Sequence, residues 1–277
     1  MKKKQILEEV KMIKLDAYKL KIIAIVGMIL CHATVAWWGI LPPILRFPMY
    51  AAGGLTFPIM AYFIAEGYKY TSNLKRYILR ILIFGLIALP FHILTITLPV
   101  GGGLIMAYPF LNIMFSIVVS LLVLVMYDKM KIKALFWVIY VVVIVPLSFV
   151  LLEWYFIGVT MVLMLHIIKN ETARRVVPPI FAAVLFFVMA LWSSGGAEML
   201  AQQFADAGIE TNALAANTDF GPVMMTFSIG ILAAAFLLLG YNGKRGKRMK
   251  WLFYIIYPLH FVVLLAGIVI FNTLGWM

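Results

Sequence analysis

"LDAYKLKIIAIVGMILCHATVAWWGI", residues 15–40, begins with Asp16, Lys19 and Lys21, then runs from Ile22 to Ile40 with His32 as its only basic side chain and no acidic one. A helix needs about 20 apolar residues to cross roughly 30 Å of hydrocarbon, so this stretch reads as a transmembrane span. The same pattern recurs along the chain. Nine spans are expected, at 20–40, 51–68, 78–98, 109–127, 133–152, 154–168, 176–195, 220–241 and 251–273. The second carries Gly53, Gly54, Pro58 and Glu66 and is expected to be broken or re-entrant, and the sixth is short and begins beside Glu153. The 277 residues are 65% hydrophobic and 12% charged, with mean hydropathy +1.04, too apolar for a water-soluble domain. The fold class expected is therefore all-α, a polytopic transmembrane helical bundle of 8–10 spans, in a single domain covering 1–277.

Charge sets the orientation. With the N-terminus inside, all but one of the 23 Lys and Arg fall on the basic segment 1–19, on the inner loops, or on the span ends that flank them; the exception is Arg46. Five of the eleven acidic residues fall outside: Glu153, Glu198, Asp206, Glu210 and Asp219. Nine spans then leave the C-terminus outside. The net charge of +12 reports topology in the plasma (inner) membrane of a prokaryote, and no nucleic-acid partner is expected. The single cysteine, Cys31, excludes a disulfide framework and a cysteine-rich metal site. No cleavable signal peptide is expected, because "MKKKQILEEVKMIK" leads straight into a full-length span. The longest loop, 196–219, is outer, and its "AEMLAQQFADAG" suits a short amphipathic surface helix.

Ionisable groups at membrane depth are costly and usually face a bundle interior or a watery cavity. Lys21 opens the first span at the cytoplasmic edge. His32 follows eleven residues later, about 16 Å deeper near the midplane, and close to three turns on, so the two share a face. His92 and His260 reach comparable depth, each two residues after a proline, Pro90 and Pro258, able to bend its helix and open a polar pocket. His166 is expected at the cytoplasmic interface. Glu66 lies near the cytoplasmic end of its span, where pairing with Lys69 or Lys21 competes with a site role. Lys75, Arg76 and Arg80 mark topology, and Arg80 on the first turn of its span could also hold a phosphate. The tryptophans and tyrosines of "AWW", "EWY" and "KWLFYIIY" read as an interfacial belt. No HExxH, CxxC, GxSxG or Walker pattern occurs, so metalloprotease, redox, hydrolase and NTPase readings lack support, and no metal is expected.

Three blocks, "LDAYKLKIIAIVGMILCH", "LTFPIMAYFIAEGYKYTSNLKRYILRILIFGLIALPF" and "LFYIIYPLHFVVL", resemble the hallmark blocks of the TraX family. They cover much of the first 92 residues and the last span, and the middle of the chain is similar only in hydropathy. The family is named for the protein that acetylates the N-terminus of F-type conjugative pilin. It is similar to a wider group of integral-membrane acyltransferases whose first span carries Arg or Lys, ten residues, then His; Lys21 and His32 match that spacing. Two positions depart from the family pattern. Cys31 stands where an aspartate is common, and Gly54 where an arginine is common, which suggests a salt bridge lost as a pair.

The resemblance implies transfer of an acyl group, acetyl first among them, from cytoplasmic acyl-CoA to an amine or hydroxyl acceptor such as a peptide N-terminus or a cell-surface glycan. His32 is then the general base, Lys21 the ligand of a coenzyme A phosphate, and Lys75 and Arg80 its helpers. His92, His260, Tyr257 and Glu66 are expected on the acceptor or oxyanion side. A proton-coupled transporter or flippase explains deep histidines equally well, but not the placement of Lys21 beneath His32. The third alternative is a catalytically inactive membrane protein, to which Cys31 and Gly54 lend weight.

Overall fold

The computed structural model describes residues 14–98, 111–206, 220–248 and 251–275. Among them every regular element is helical. In chain order these are α1 (Ala17–Ala36), α2 (Pro43–Gly54), α3 (Thr56–Tyr70), α4 (Leu74–Thr97), α5 (Ile113–Lys129), α6 (Lys133–Ile139), a π-helical turn (Tyr140–Ile144), α7 (Val145–Leu151), α8 (Tyr155–Ile167), α9 (Glu171–Asp206), α10 (Phe220–Leu239) and α11 (Leu252–Thr273). Apolar runs become helices because hydrocarbon leaves each backbone N–H and C=O only an internal partner. Polar side chains start several of them. Asp16 accepts from the Lys19 N–H at 2.8 Å, Asn73 from Arg76 at 2.9 Å, and Asn112 from Met114 at 3.1 Å.

Among the described residues six segments are long and apolar enough to cross a membrane: Ala17–Ala36, Pro43–Tyr70, Leu74–Thr97, Lys133–Leu151, Glu171–Trp192 and Leu252–Thr273. The spans expected at 109–127 and 154–168 coincide with α5 and α8, which have only 17 and 13 residues. At about 1.5 Å per residue, α8 is some 20 Å long. It is short because it is interior: Ile157, Val159, Met161 and Val162 are fully buried, so α8 need not span the lipid alone. The π turn precedes Pro146, whose missing N–H would interrupt an α-helical ladder there. Along α6, the π turn and α7, Val138, Val142, Leu147 and Val150 stand exposed, forming a lipid-facing wall.

The second expected span is indeed interrupted. α2 ends at Gly54, the chain turns at Leu55, and α3 begins at Thr56. Residues 43–50, expected in an outer loop, are helical because Pro43 is pre-set for a first turn. α2 crosses α10 at backbone contact. A side chain on Gly54 would strike the Phe227 carbonyl, and one on Gly230 the Ala51 carbonyl. α3 lies at the centre, with Phe57, Ile59, Ala61, Tyr62 and Ala65 buried against α1, α8 and α10. The basic residues 1–13 and the outer-loop residues 207–219 lie outside the described residues. α9 stays helical through Asp206, so "AEMLAQQFADAG" begins as an extension of a span rather than a separate helix.

Among the described residues two isolated bridges tie loops to the bundle. Leu15 pairs with Tyr241, fastening the entry of α1 to the segment after α10. Leu111 pairs with Leu152, with Leu111 N–H donating to the Leu151 carbonyl at 2.8 Å and Glu153 N–H to the Leu111 carbonyl at 3.2 Å. That second bridge fixes the short turn between α7 and α8, and with it Glu153.

Candidate active site

Three helices each bring one histidine to a common centre: His32 from α1, His92 from α4 and His260 from α11. Their exposures are 9%, 2% and 4%. His32 is the sixteenth of the 20 residues of α1, so the centre lies nearer the end of the bundle away from Lys21 than the midplane placement expected. The rings of His32 and His260 are 5.0 Å apart, and those of His32 and His92 6.4 Å apart at 88°. Phe261 fills the space between them, 4.8 Å from His32 and 5.2 Å from His92.

The fourth member comes from the turn before α8. Glu153 Oε1 lies 3.5 Å from His32 Nε2, and its Oε2 lies 3.9 Å from His92 Nε2. Oε2 is buried without a hydrogen-bond partner, as is His92 Nδ1. The sequence reading placed Glu153 with the outer acidic residues and missed this role. The available signal was its setting: one carboxylate between Leu152 and Trp154, in a turn too short and apolar to hold it in water. Tyr155, two residues on, adopts φ +48°, the only positive φ outside glycine among the described residues. This left-handed backbone, costing on the order of 1–3 kcal/mol, sits where the turn carries Glu153 into the bundle.

Hydrogen-bond logic fixes the protons. His260 Nδ1 lies 3.2 Å from the Ile256 carbonyl, which only accepts, so Nδ1 carries the hydrogen. Its Nε2 is then an acceptor and takes the Nδ1–H of His32 at 3.0 Å. His32 Nε2 is left facing the Glu153 carboxylate. At 3.5 Å the two are placed so that a proton taken up at Nε2 would be held against the carboxylate. His32 and His260 bond to one another through their ring nitrogens, and among the described residues no three His, Cys, Asp or Glu side chains are placed to hold a metal ion.

The centre opens into a cavity lined by His32, His92, Glu153 and the aromatic side chains of Tyr50, Trp154 and Phe227. An adjoining lobe reaches Met28, Thr56 and Ile117. Trp154, expected in an interfacial belt, is instead a buried wall of this cavity. Its ring lies 4.5 Å from Phe57, 4.9 Å from Phe186 and 5.4 Å from Phe227. Tyr257 is fully buried beside His260, ring centroids 5.5 Å apart, and its hydroxyl has no hydrogen-bond partner.

The remaining expected residues lie elsewhere. Glu66, expected on the acceptor side, is six residues beyond Met60, the last α3 residue on the cavity. It pairs instead with buried Arg174 at 2.6 Å and with Lys69 at 3.7 Å, because a carboxylate at that depth takes the nearest buried cation. Arg174 also meets Glu171 at 3.3 Å, and Tyr62 donates to Glu171 at 2.5 Å. Lys21 lies at the opposite end of α1 from His32, its ammonium 4.9 Å above the Phe63 ring. Lys75 is exposed on the first turn of α4, and Arg80 is half-buried with an unpartnered Nε. His166 bonds Asp128 at 2.8 Å and Tyr68 donates to the same carboxylate at 2.7 Å. There burial pushes the Asp128 carboxyl upward, but these hydrogen bonds outweigh it and hold the group below its usual range.

The expected partnership of positions 31 and 54 has no geometric basis. Position 54 faces Phe227 and Gly230 on α10, and the residue against Cys31 is Gly53. The carboxylate near His32 comes from position 153 instead.

The family model described as "TraX protein" matches residues 17–268. The chain is 28% identical over 270 residues to "Probable fimbrial assembly protein FimC, serogroup H1" of Dichelobacter nodosus, covering 92% of this chain and 96% of that protein. No solved structure matches.

Proposed function

This chain belongs to the TraX family, and on that premise we propose that it is a membrane-embedded acyltransferase of pilus-type systems. It moves an acetyl group from cytoplasmic acetyl-CoA to an acceptor that enters from the far side of the membrane. The fimbrial-assembly name of its relative supports a pilin-like peptide N-terminus as that acceptor, ahead of a glycan hydroxyl. The observation that carries the reading is the pairing of His32 with Glu153 in a cavity, on the same helix face as a cation some 16 Å away.

In this reading Lys21 holds a coenzyme A phosphate at the inner mouth, and the pantetheine arm runs along α1 to His32. The acceptor ammonium binds at Glu153, whose Oε2 lacks a partner. The His32–Glu153 pair takes one proton from that ammonium, and the freed amine attacks the thioester carbonyl. A C–N bond forms, the C–S bond breaks, and the thiolate leaves with the second amine proton as coenzyme A thiol. The unpartnered Tyr257 hydroxyl supplies a donor for the oxyanion. His260 does not touch the reacting atoms; it holds the His32 ring through Nδ1.

Purified protein in nanodiscs, given labelled acetyl-CoA and a peptide amine, tests this. Wild type should transfer label, His32→Ala should bind acetyl-CoA without transferring it, and Lys21→Ala should bind it more weakly. Failure of wild type to bind acetyl-CoA would favour a transporter.

A further inference from the structure

The segment Tyr241–Arg248, "YNGKRGKR", packs four cations into its last five residues. Inner loops of membrane proteins need such charge for topology alone, and topology asks only that it be there. This loop is also fastened. Leu15 N–H donates to the Gly240 carbonyl at 3.1 Å, Asn242 N–H to Leu15 at 2.9 Å, and Ala17 N–H to Lys244 at 2.9 Å. The Lys244 N–H is held in turn by the Asn242 side chain at 2.8 Å. Gly243 and Gly246 have φ +75° and +65°, which fold the segment tightly, and any side chain on Gly246 would run into Asp16 and Tyr18. The loop is thus a strap pressed across the first turn of α1, one turn before Lys21.

Its surroundings complete a cationic rim. Arg245 lies within electrostatic reach of Lys21. Phe63 lies under Lys21 and 5.5 Å from Tyr241, whose carbonyl accepts from Arg175 at 3.0 Å. Residues 242–248 are exposed, and among the described residues none of Lys21, Lys244, Arg245, Lys247 and Arg248 forms a salt bridge. Asp16, against which Gly246 packs, accepts from the Lys19 N–H in capping α1. Drawing like charges together at the mouth is unfavourable unless an anion shares them. Coenzyme A carries three phosphate groups, which a single lysine cannot balance.

We infer that the strap Asn242–Arg248, folded over the start of α1, is a polyphosphate-binding site that works with Lys21 to grip the nucleotide end of the acyl-CoA donor. The inference rests on the acyltransferase reading and deepens it. Phosphate chemistry has a second source here, the headgroups of anionic lipids, and the test separates the two.

Coenzyme A binding is measured by calorimetry on full-length protein in phosphatidylcholine nanodiscs, for wild type, the strap variant Lys244→Gln/Arg245→Gln/Lys247→Gln, and the control Lys129→Gln, an exposed cation outside the strap. Thermal melting of each confirms folding. The expected result is a loss of at least tenfold in affinity and a shallower salt dependence for the strap variant, with Lys129→Gln unchanged. Equal coenzyme A affinity in the strap variant and wild type would overturn the inference. If that variant instead lost thermal stabilisation by phosphatidylglycerol, the strap would belong to lipid headgroups. No binding by wild type would overturn the acyltransferase reading itself, a distinguishable failure.

Discussion

At the scale of single residues, His32 is defined by its two nitrogens. Nδ1 is committed to His260, and Nε2 faces the Glu153 carboxylate at 3.5 Å. His260 is therefore a positioning residue. His260→Leu is expected to lower kcat by at least tenfold and flatten its pH profile, with KM for acetyl-CoA within about twofold of wild type, because an unheld imidazole still faces Glu153 but in many orientations. A merely structural role would lower folded yield and leave kcat per folded molecule and its pH profile unchanged. That Lys21 and His32 lie on one helix was legible in the sequence because helical periodicity is local. Glu153 was not, since it reaches His32 only through the fold of a turn 121 residues away in the chain.

At the scale of elements, the crossing of α2 and α10 sets the cavity wall that carries Tyr50 and Phe227. Two glycines, Gly54 and Gly230, permit that approach. Gly230→Leu should separate the helices and destabilise the protein by about 1–3 kcal/mol or more, seen as a lower melting temperature in detergent. Gly54→Arg should be at least as damaging, and Cys31→Asp should not rescue it, because position 54 faces α10 rather than Cys31. The break in this region was legible from Gly53, Gly54 and Pro58. The helix at 43–50 was not, since a short amphipathic stretch between spans reads equally well as loop. Nor did hydropathy mark α8 as interior: a buried helix and a lipid-facing one have the same apolar composition, and only packing distinguishes them.

For the whole molecule, the proposed function requires one orientation, the one expected from the distribution of charge, with the strap inside and the Glu153 turn outside. Cys31 is the single native cysteine, so a Cys31→Ala background permits accessibility mapping. A cysteine at exposed Lys247 should react with impermeant maleimide only when the cytoplasmic face is opened, and one at exposed Ile44 should react in intact cells. The reverse pattern would place the acceptor side in the cytoplasm and remove the route proposed for the donor. The central claim, that Glu153 and His32 act as one base, is tested most directly by acetyl transfer from labelled acetyl-CoA to a peptide amine by Glu153→Gln protein in nanodiscs. A fall of at least a hundredfold in kcat, with acetyl-CoA affinity unchanged, is the outcome expected; transfer at the wild-type rate would contradict it.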